Sequence, residues 1–214
     1  AFALSAAAVT ISSVSAQSGE TADGFSLQYE IVDGNAYITG ATGSDPIVMI
    51  PSEIDGKKVT GIRSGAFMGV EELTAVVIPD SVTSVGEKAF SACPLLTTVT
   101  IGGGVTDIGN MAFSACPSLQ SFYVNSSNKT YSVINGSLFE KTELVTYAGG
   151  KDAEIPLGTT SVRRGAFMGK TNIVSVDFPS SGLTTLGDHA FSGCTSLERA
   201  VIPVTVTHTG TGCF

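Results

Sequence analysis

IPDSVTSVGEKAFSAC, residues 78–93, returns as IGGGVTDIGNMAFSAC at 101–116 and, more loosely, as FPSSGLTTLGDHAFSGC at 178–194. One landmark carries the period, an Ala-Phe pair and its variants. Phe67, Phe90, Phe113, Phe139, Phe167, Phe191 and Phe214 follow one another at 23, 23, 26, 28, 24 and 23 residues. A repeat of this size cannot bury its apolar side alone and must stack on its neighbours, which makes the chain a solenoid.

Outward from the landmark, Leu73, Val76, Ile78, Val82, Val85, Gly86, Ala89, Phe90 and Cys93 are matched by Leu96, Val99, Ile101, Val105, Ile108, Gly109, Ala112, Phe113 and Cys116. The alternation at Val76 and Ile78, with Ala75 and Val77 turned the other way, predicts a short strand. Pro79 has no N–H for a ladder and ends it. Val82 and Val85 mark a second extended stretch, Gly86 is expected to let the chain reverse, and residues 87–93 read as a short helical turn. The expected fold is a β-rich solenoid of about 23 residues per coil with a parallel strand ladder, running about 30 Å at about 4.8 Å per coil.

The pattern LxxVxIPxxVxxIGxxAFxxCxxL resembles the BspA-like leucine-rich repeats of surface proteins, over residues 47–214. The preceding FSLQYEIVDGNAYITGATGSDPIVMIPSEIDGKKVTGI, residues 25–62, looks like the opening of such arrays. The resemblance implies a secreted or surface-anchored adhesin that binds host matrix or plasma proteins, or other cells, with a bacterial source favoured. One unit departs from the pattern. Between Phe122 and Gly150 the Val-x-x-Ile-Gly core is lost and Leu138-Phe139 replaces Ala-Phe.

Residues 1–16, AFALSAAAVTISSVSA, read as the remnant of a secretory signal, with Val14 and Ala16 at its cleavage positions. The run is too short and too rich in Ser, Thr and Ala for a membrane span. Residues 17–46 read as a pre-repeat cap segment and 47–214 as the solenoid, irregular at 122–150 and cut short at Cys213-Phe214. The net charge of −8 argues against nucleic acid and anionic membranes as partners.

Cys93, Cys116 and Cys194 share one place in their coils, three residues after the landmark. Adjacent coils set Cys93 and Cys116 about 4.8 Å apart, within disulfide range, yet parallel side chains strain such a bridge. All four cysteines read as small buried fillers, and no metal or cofactor motif is present. His189 falls at a variable position, filled by Lys88 and Met111 elsewhere, so Asp188, His189 and Ser192 do not make a triad. The chain reads as non-enzymatic.

A binding face is expected where outward strand residues line up in columns. One column is Ala75, Thr98, Ser121, Ser175 and Arg199; beside it run Val77, Thr100, Tyr123, Asp177 and Val201. Thr98, Thr100, Ser121, Tyr123, Ser175 and Asp177 are the candidate ligand-binding residues, suited to an extracellular protein or glycan. The irregular unit around Tyr131 and Tyr147 is the rival site. It also holds three glycosylation acceptor patterns, at Asn125, Asn128 and Asn135. The functional expectation is an adhesion or interaction module; the alternative is an accessory repeat of a larger exported hydrolase.

Overall fold

The computed structural model describes Val9–Thr10 and residues 26–214. The leader reading of residues 1–16 lies outside the described residues, apart from Val9–Thr10, which pairs antiparallel with Ser26–Val32.

Beyond that hairpin region the chain winds as its period predicts. Ile47–Met49, Ala75–Ile78, Thr98–Ile101 and Ser121–Val124 stack as one parallel ladder in register. Alternation sends Val76, Ile78, Val99 and Ile101 inward, where each is buried. A second set of short strands, Lys57–Ile62, Ser84–Val85 and Asp107–Ile108, carries Ile62, Val85 and Ile108 into the same core. Further along, Asp152–Glu154, Ser175–Asp177 and Arg199–Ala200 form another outer ladder. Its companions are Glu143–Thr146, Ser161–Val162, Thr185–Leu186 and His208–Thr209.

The expected helical turn at 87–93 is not helical. Lys88 and Ala92 take left-handed φ of 55° and 59°, and the same two places in other coils hold Met111 and Ala115 or glycines such as Gly165 and Gly169. Amide groups alternate their targets. Ala89 and Ser91 bond back within the coil to Gly86 and Lys88, while Lys88, Phe90 and Ala92 donate to Asn110, Ala112 and Ser114 of the next coil. Half the turn's backbone is spent between coils, so no i→i+4 ladder forms.

Gly86 does not serve to reverse the chain, since it is absent from the left-handed positions. A Cβ there would lie 2.4 Å from the Ser64 nitrogen, and one at Gly109 would lie 2.6 Å from the Glu87 nitrogen. These glycines allow backbones to approach. Their place is taken by Arg63 and Arg163 in the two coils that follow a hairpin rather than a regular coil.

Phe67, Phe90 and Phe113 stack ring on ring at 4.8 and 5.4 Å. Burying each such side chain stabilises the fold by about 1.5–3 kcal/mol. The stack then breaks. It resumes with Tyr147, Phe167, Phe191 and Phe214 at 4.7, 4.5 and 5.0 Å. Tyr147, not Phe139, is therefore the landmark of the irregular unit. Its N–H bonds the Ala166 carbonyl just as that of Phe67 bonds Ala89.

The reason lies in the unit's own fold. Tyr131–Ile134 and Ser137–Glu140 form a hairpin turning at Asn135-Gly136, with φ of 50° and 81°. The next strand, Glu143–Thr146, opens the second ladder set. Ser26–Val32 and Asn35–Thr42 do the same for the first, turning at Asp33-Gly34 with φ of 50° and 78°. Two runs of coils thus each begin with a hairpin, and the buried residues divide into two clusters at this junction.

Candidate functional site

The outer strand face is continuous only within each run. Ser121 has Thr98 as its ladder neighbour, whereas Ser175 has Asp152 and Arg199. The expected succession of Ser121 by Ser175 is thus corrected, because the hairpin intervenes. In the first ladder the columns are Ile47, Ala75, Thr98 and Ser121, and Met49, Val77, Thr100 and Tyr123. In the second they are Asp152, Ser175 and Arg199, with Glu154 beside Asp177.

Sequence reasoning missed Ile47, Met49, Asp152 and Glu154, although the period projected backwards through Pro51 would have reached the first two. They change the character of the face. Met49 is 64% and Tyr123 60% exposed, so the first ladder presents apolar and aromatic contact among threonine hydroxyls. Thr98, Thr100 and Ser121 are half-buried between them. The second ladder is charged, with Asp177 exposed and paired to Arg199 Nη1 at 2.9 Å. Ser175 is only 7% exposed and donates its hydroxyl to Asp152 Oδ1 at 2.8 Å.

The two tyrosines of the rival site are structural. Tyr147 belongs to the aromatic stack and its hydroxyl donates to the Gly150 carbonyl. Tyr131 is buried, and its hydroxyl accepts the Ile108 N–H at 2.8 Å. Burial, followed by the nearby Glu140 charge, holds its phenol above the usual range. Arg163 completes that closure. It donates to the Ile108 carbonyl at 3.3 Å and pairs with Glu140 and Glu143. The end of the first short-strand ladder is thereby capped by side chains, which removes a naked edge.

The acceptor asparagines differ in availability. Asn128 Nδ2 donates to the Gly102 and Val105 carbonyls, and Oδ1 accepts from the Thr130 and Tyr131 amides. Its amide is spent on joining coils and is no place for a glycan. Asn135 sits exposed at the tip of its hairpin.

All four cysteines are free thiols. Cys93, Cys116 and Cys194 donate to the carbonyls of Phe67, Phe90 and Phe167, each at 3.1 Å. Lys170 takes the same place in its coil, is 1% exposed and reaches the Leu119 carbonyl at 2.9 Å. Desolvation lowers its ammonium to about 8, against a smaller pull upward from Cys116 and Cys194. The Asp188 carboxylate is spent on the Thr211 amide at 2.8 Å. Among the described residues no group of three His, Cys, Asp or Glu side chains is placed to hold a metal ion. No helix of the described residues is long and apolar enough to cross a membrane.

One concavity lies beside the candidate face, a groove of about 690 Å³ between Ser121–Val124 and Tyr131–Val133. Ser121 and Tyr123 line it, whereas Thr98, Thr100, Ser175 and Asp177 do not.

The chain matches the BspA type leucine rich repeat region in six copies, over residues 52–153 and 149–214. Among solved structures, the leucine rich repeat protein TpLRR of T. pallidum is 27% identical, with a TM-score of 0.56 over 86% of this chain and 83% of that one. A leucine-rich repeat protein of Eubacterium ventriosum is 23% identical, TM-score 0.50, covering 86% and 66% of the two chains. The pneumococcal vaccine antigen PcpA shares the fold at 15% identity, TM-score 0.51, with 86% and 76% covered. No curated protein matches. The registered coils, the Ala-Phe stack and the matched repeats together place this chain in the BspA-type leucine-rich repeat family.

Proposed function

We propose that this chain is a non-catalytic interaction module of an exported or cell-surface protein, adhesive in role, with an extracellular protein or glycan as its partner. The observation that carries the reading is the outward column Met49, Val77, Thr100 and Tyr123, exposed at Met49 and Tyr123 and half-buried between them. A rigid aromatic among small hydroxyls offers contact area at little entropic cost. Stacked repeats supply surface and little else, and membership of this repeat family agrees. The strip belongs to the first run of coils, with Tyr123 as its aromatic member at the last strand, and Asp177 lies apart from it.

The test is binding of the full chain to arrayed matrix proteins and glycans, with Tyr123→Ala and Asp177→Lys measured separately. Saturable binding weakened at least tenfold by Tyr123→Ala, and less by Asp177→Lys, is the expected result. No saturable binding to any arrayed protein or glycan would sink the reading.

A further inference from the structure

Ser121–Val124 ends its ladder with one edge open. On the inner side it pairs in register with Thr98–Ile101. On the other, the Phe122 N–H bonds the Gly136 carbonyl at 2.8 Å. Among the described residues, the Phe122 carbonyl and both backbone groups of Val124 find no partner on that side. The next outer strand, Asp152–Glu154, pairs only with Ser175–Asp177. Ile47–Met49, Ala75–Ile78 and Thr98–Ile101 are each followed by another outer strand; after Ser121–Val124 the hairpin stands in the successor's place.

Beside this edge lies the groove already described, within the range of about 300–1,000 Å³ typical of ligand sites. Tyr131–Ile134 forms its far wall without pairing to Ser121–Val124. The lining carries hydroxyl and amide groups from Ser121, Asn125, Ser126 and Ser132, the Tyr123 ring, and no charged side chain.

We propose that this edge and groove dock an extended, uncharged peptide segment of a partner protein, which joins the sheet as an added strand. The inference rests on the interaction reading above and specifies its mode. Strand addition takes affinity from main-chain hydrogen bonds and selectivity from pockets for alternate side chains. The Phe122 carbonyl and the Val124 N–H and C=O supply the first, while Tyr123 and Val133 flank the second. The chain's net charge of −8 disfavours an acidic segment, and the uncharged lining offers no counter-ion to a basic one. A four-residue strand spans about 13 Å, so the footprint is about four to five peptide residues.

The probe is an array of random octapeptides lacking Asp, Glu, Lys and Arg, offered to the full chain. The tightest binders are then titrated with amide hydrogen exchange as the readout. Saturation is expected to slow exchange at Val124 at least tenfold, and backbone N-methylation of the peptide to weaken binding at least tenfold. Val124→Pro removes an N–H that bonds nothing in the free chain, a substitution that strand edges tolerate. It should weaken peptide binding at least tenfold while hydrogen exchange at Val76 and Val99 stays as slow as in the native chain, which shows that the coils remain folded. No binder, binders that leave Val124 unprotected, or N-methylated peptides that bind equally well would each overturn the proposal. So would arrayed glycans protecting Val124 in place of peptides. If the Val124→Pro chain binds matrix proteins as the native chain does, this site falls and the interaction reading stands. If the native chain binds neither class, both fall.

Discussion

Cys93, Cys116 and Cys194 are more than fillers, because each thiol answers a carbonyl of the preceding coil that faces the interior. Cys116→Ala leaves the Phe90 carbonyl unmet and opens a small void, so a stability loss of about 1–3 kcal/mol is expected in urea unfolding. Cys116→Ser, which keeps a donor, should recover part of that loss. Lys170 makes a pH-dependent contribution of the opposite kind. Its folded pKa of about 8 lies below the ordinary 10.5, so below pH 8 the folded state bears the cost of a buried ammonium. Between pH 8 and 10.5 the unfolded chain binds more protons and stability rises with pH, by at most about 1.4 kcal/mol per pH unit. Cys194, raised by burial from 9.0 to about 11, opposes this above pH 9. The cysteines titrate in the same range in both chains, so the difference between the native chain and Lys170→Met isolates the lysine. From pH 8 to 10 the unfolding free energy should rise more in the native chain than in Lys170→Met.

Within one coil, two kinds of special position look alike in sequence and behave in opposite ways. Gly109 is needed for close approach: its missing Cβ would sit 2.6 Å from the Glu87 nitrogen and 2.9 Å from the Glu87 Cα. Gly109→Ala must push two coils apart and should cost more than about 2 kcal/mol, since neither neighbour is a flexible side chain. Ala92, at φ 59°, holds a conformation that glycine adopts freely. Ala92→Gly is expected to raise stability by up to about 1 kcal/mol. A thermal melt of the two variants side by side tests both, and the same sign for the two would refute this division of roles.

Across the whole molecule, the two runs of coils meet unevenly. On the turn side they join directly, the Ala115 amide donating to the Met168 carbonyl at 2.7 Å and Lys170 reaching Leu119. On the short-strand side Arg163 and Tyr131 close the gap through side chains, and on the outer face the edge stays open. Arg163→Met removes the cation between Glu140 and Glu143 and the donor to Ile108, and should cost about 1–3 kcal/mol. Because each coil contacts only its neighbours, the loss is expected at the junction. Hydrogen exchange should quicken at Leu144 and Val162 while Val76 and Val99 keep their protection. Uniform quickening along the chain would instead mean one indivisible cooperative unit.

The coil period, the inward positions of Val76, Ile78, Val99 and Ile101 and the parallel ladder were all legible in the sequence, because a repeating burial pattern is written once per coil. The glycine before the turn was visible too, but its purpose was not, since only the neighbouring coil's backbone shows that it serves approach and not reversal. Tyr147 escaped notice as the true landmark for a related reason. Phe139 better matched the local pattern, while ring stacking on Phe167 is a contact between coils. The order of the outward columns was legible within a run but not across the junction, where Asp152, not Ser121, is the neighbour of Ser175. Local periodicity determines what each coil buries. Which coil it lies against, and where a ladder is left open, depends on backbone hydrogen bonds and close contacts between residues distant in sequence, which only the tertiary structure decides.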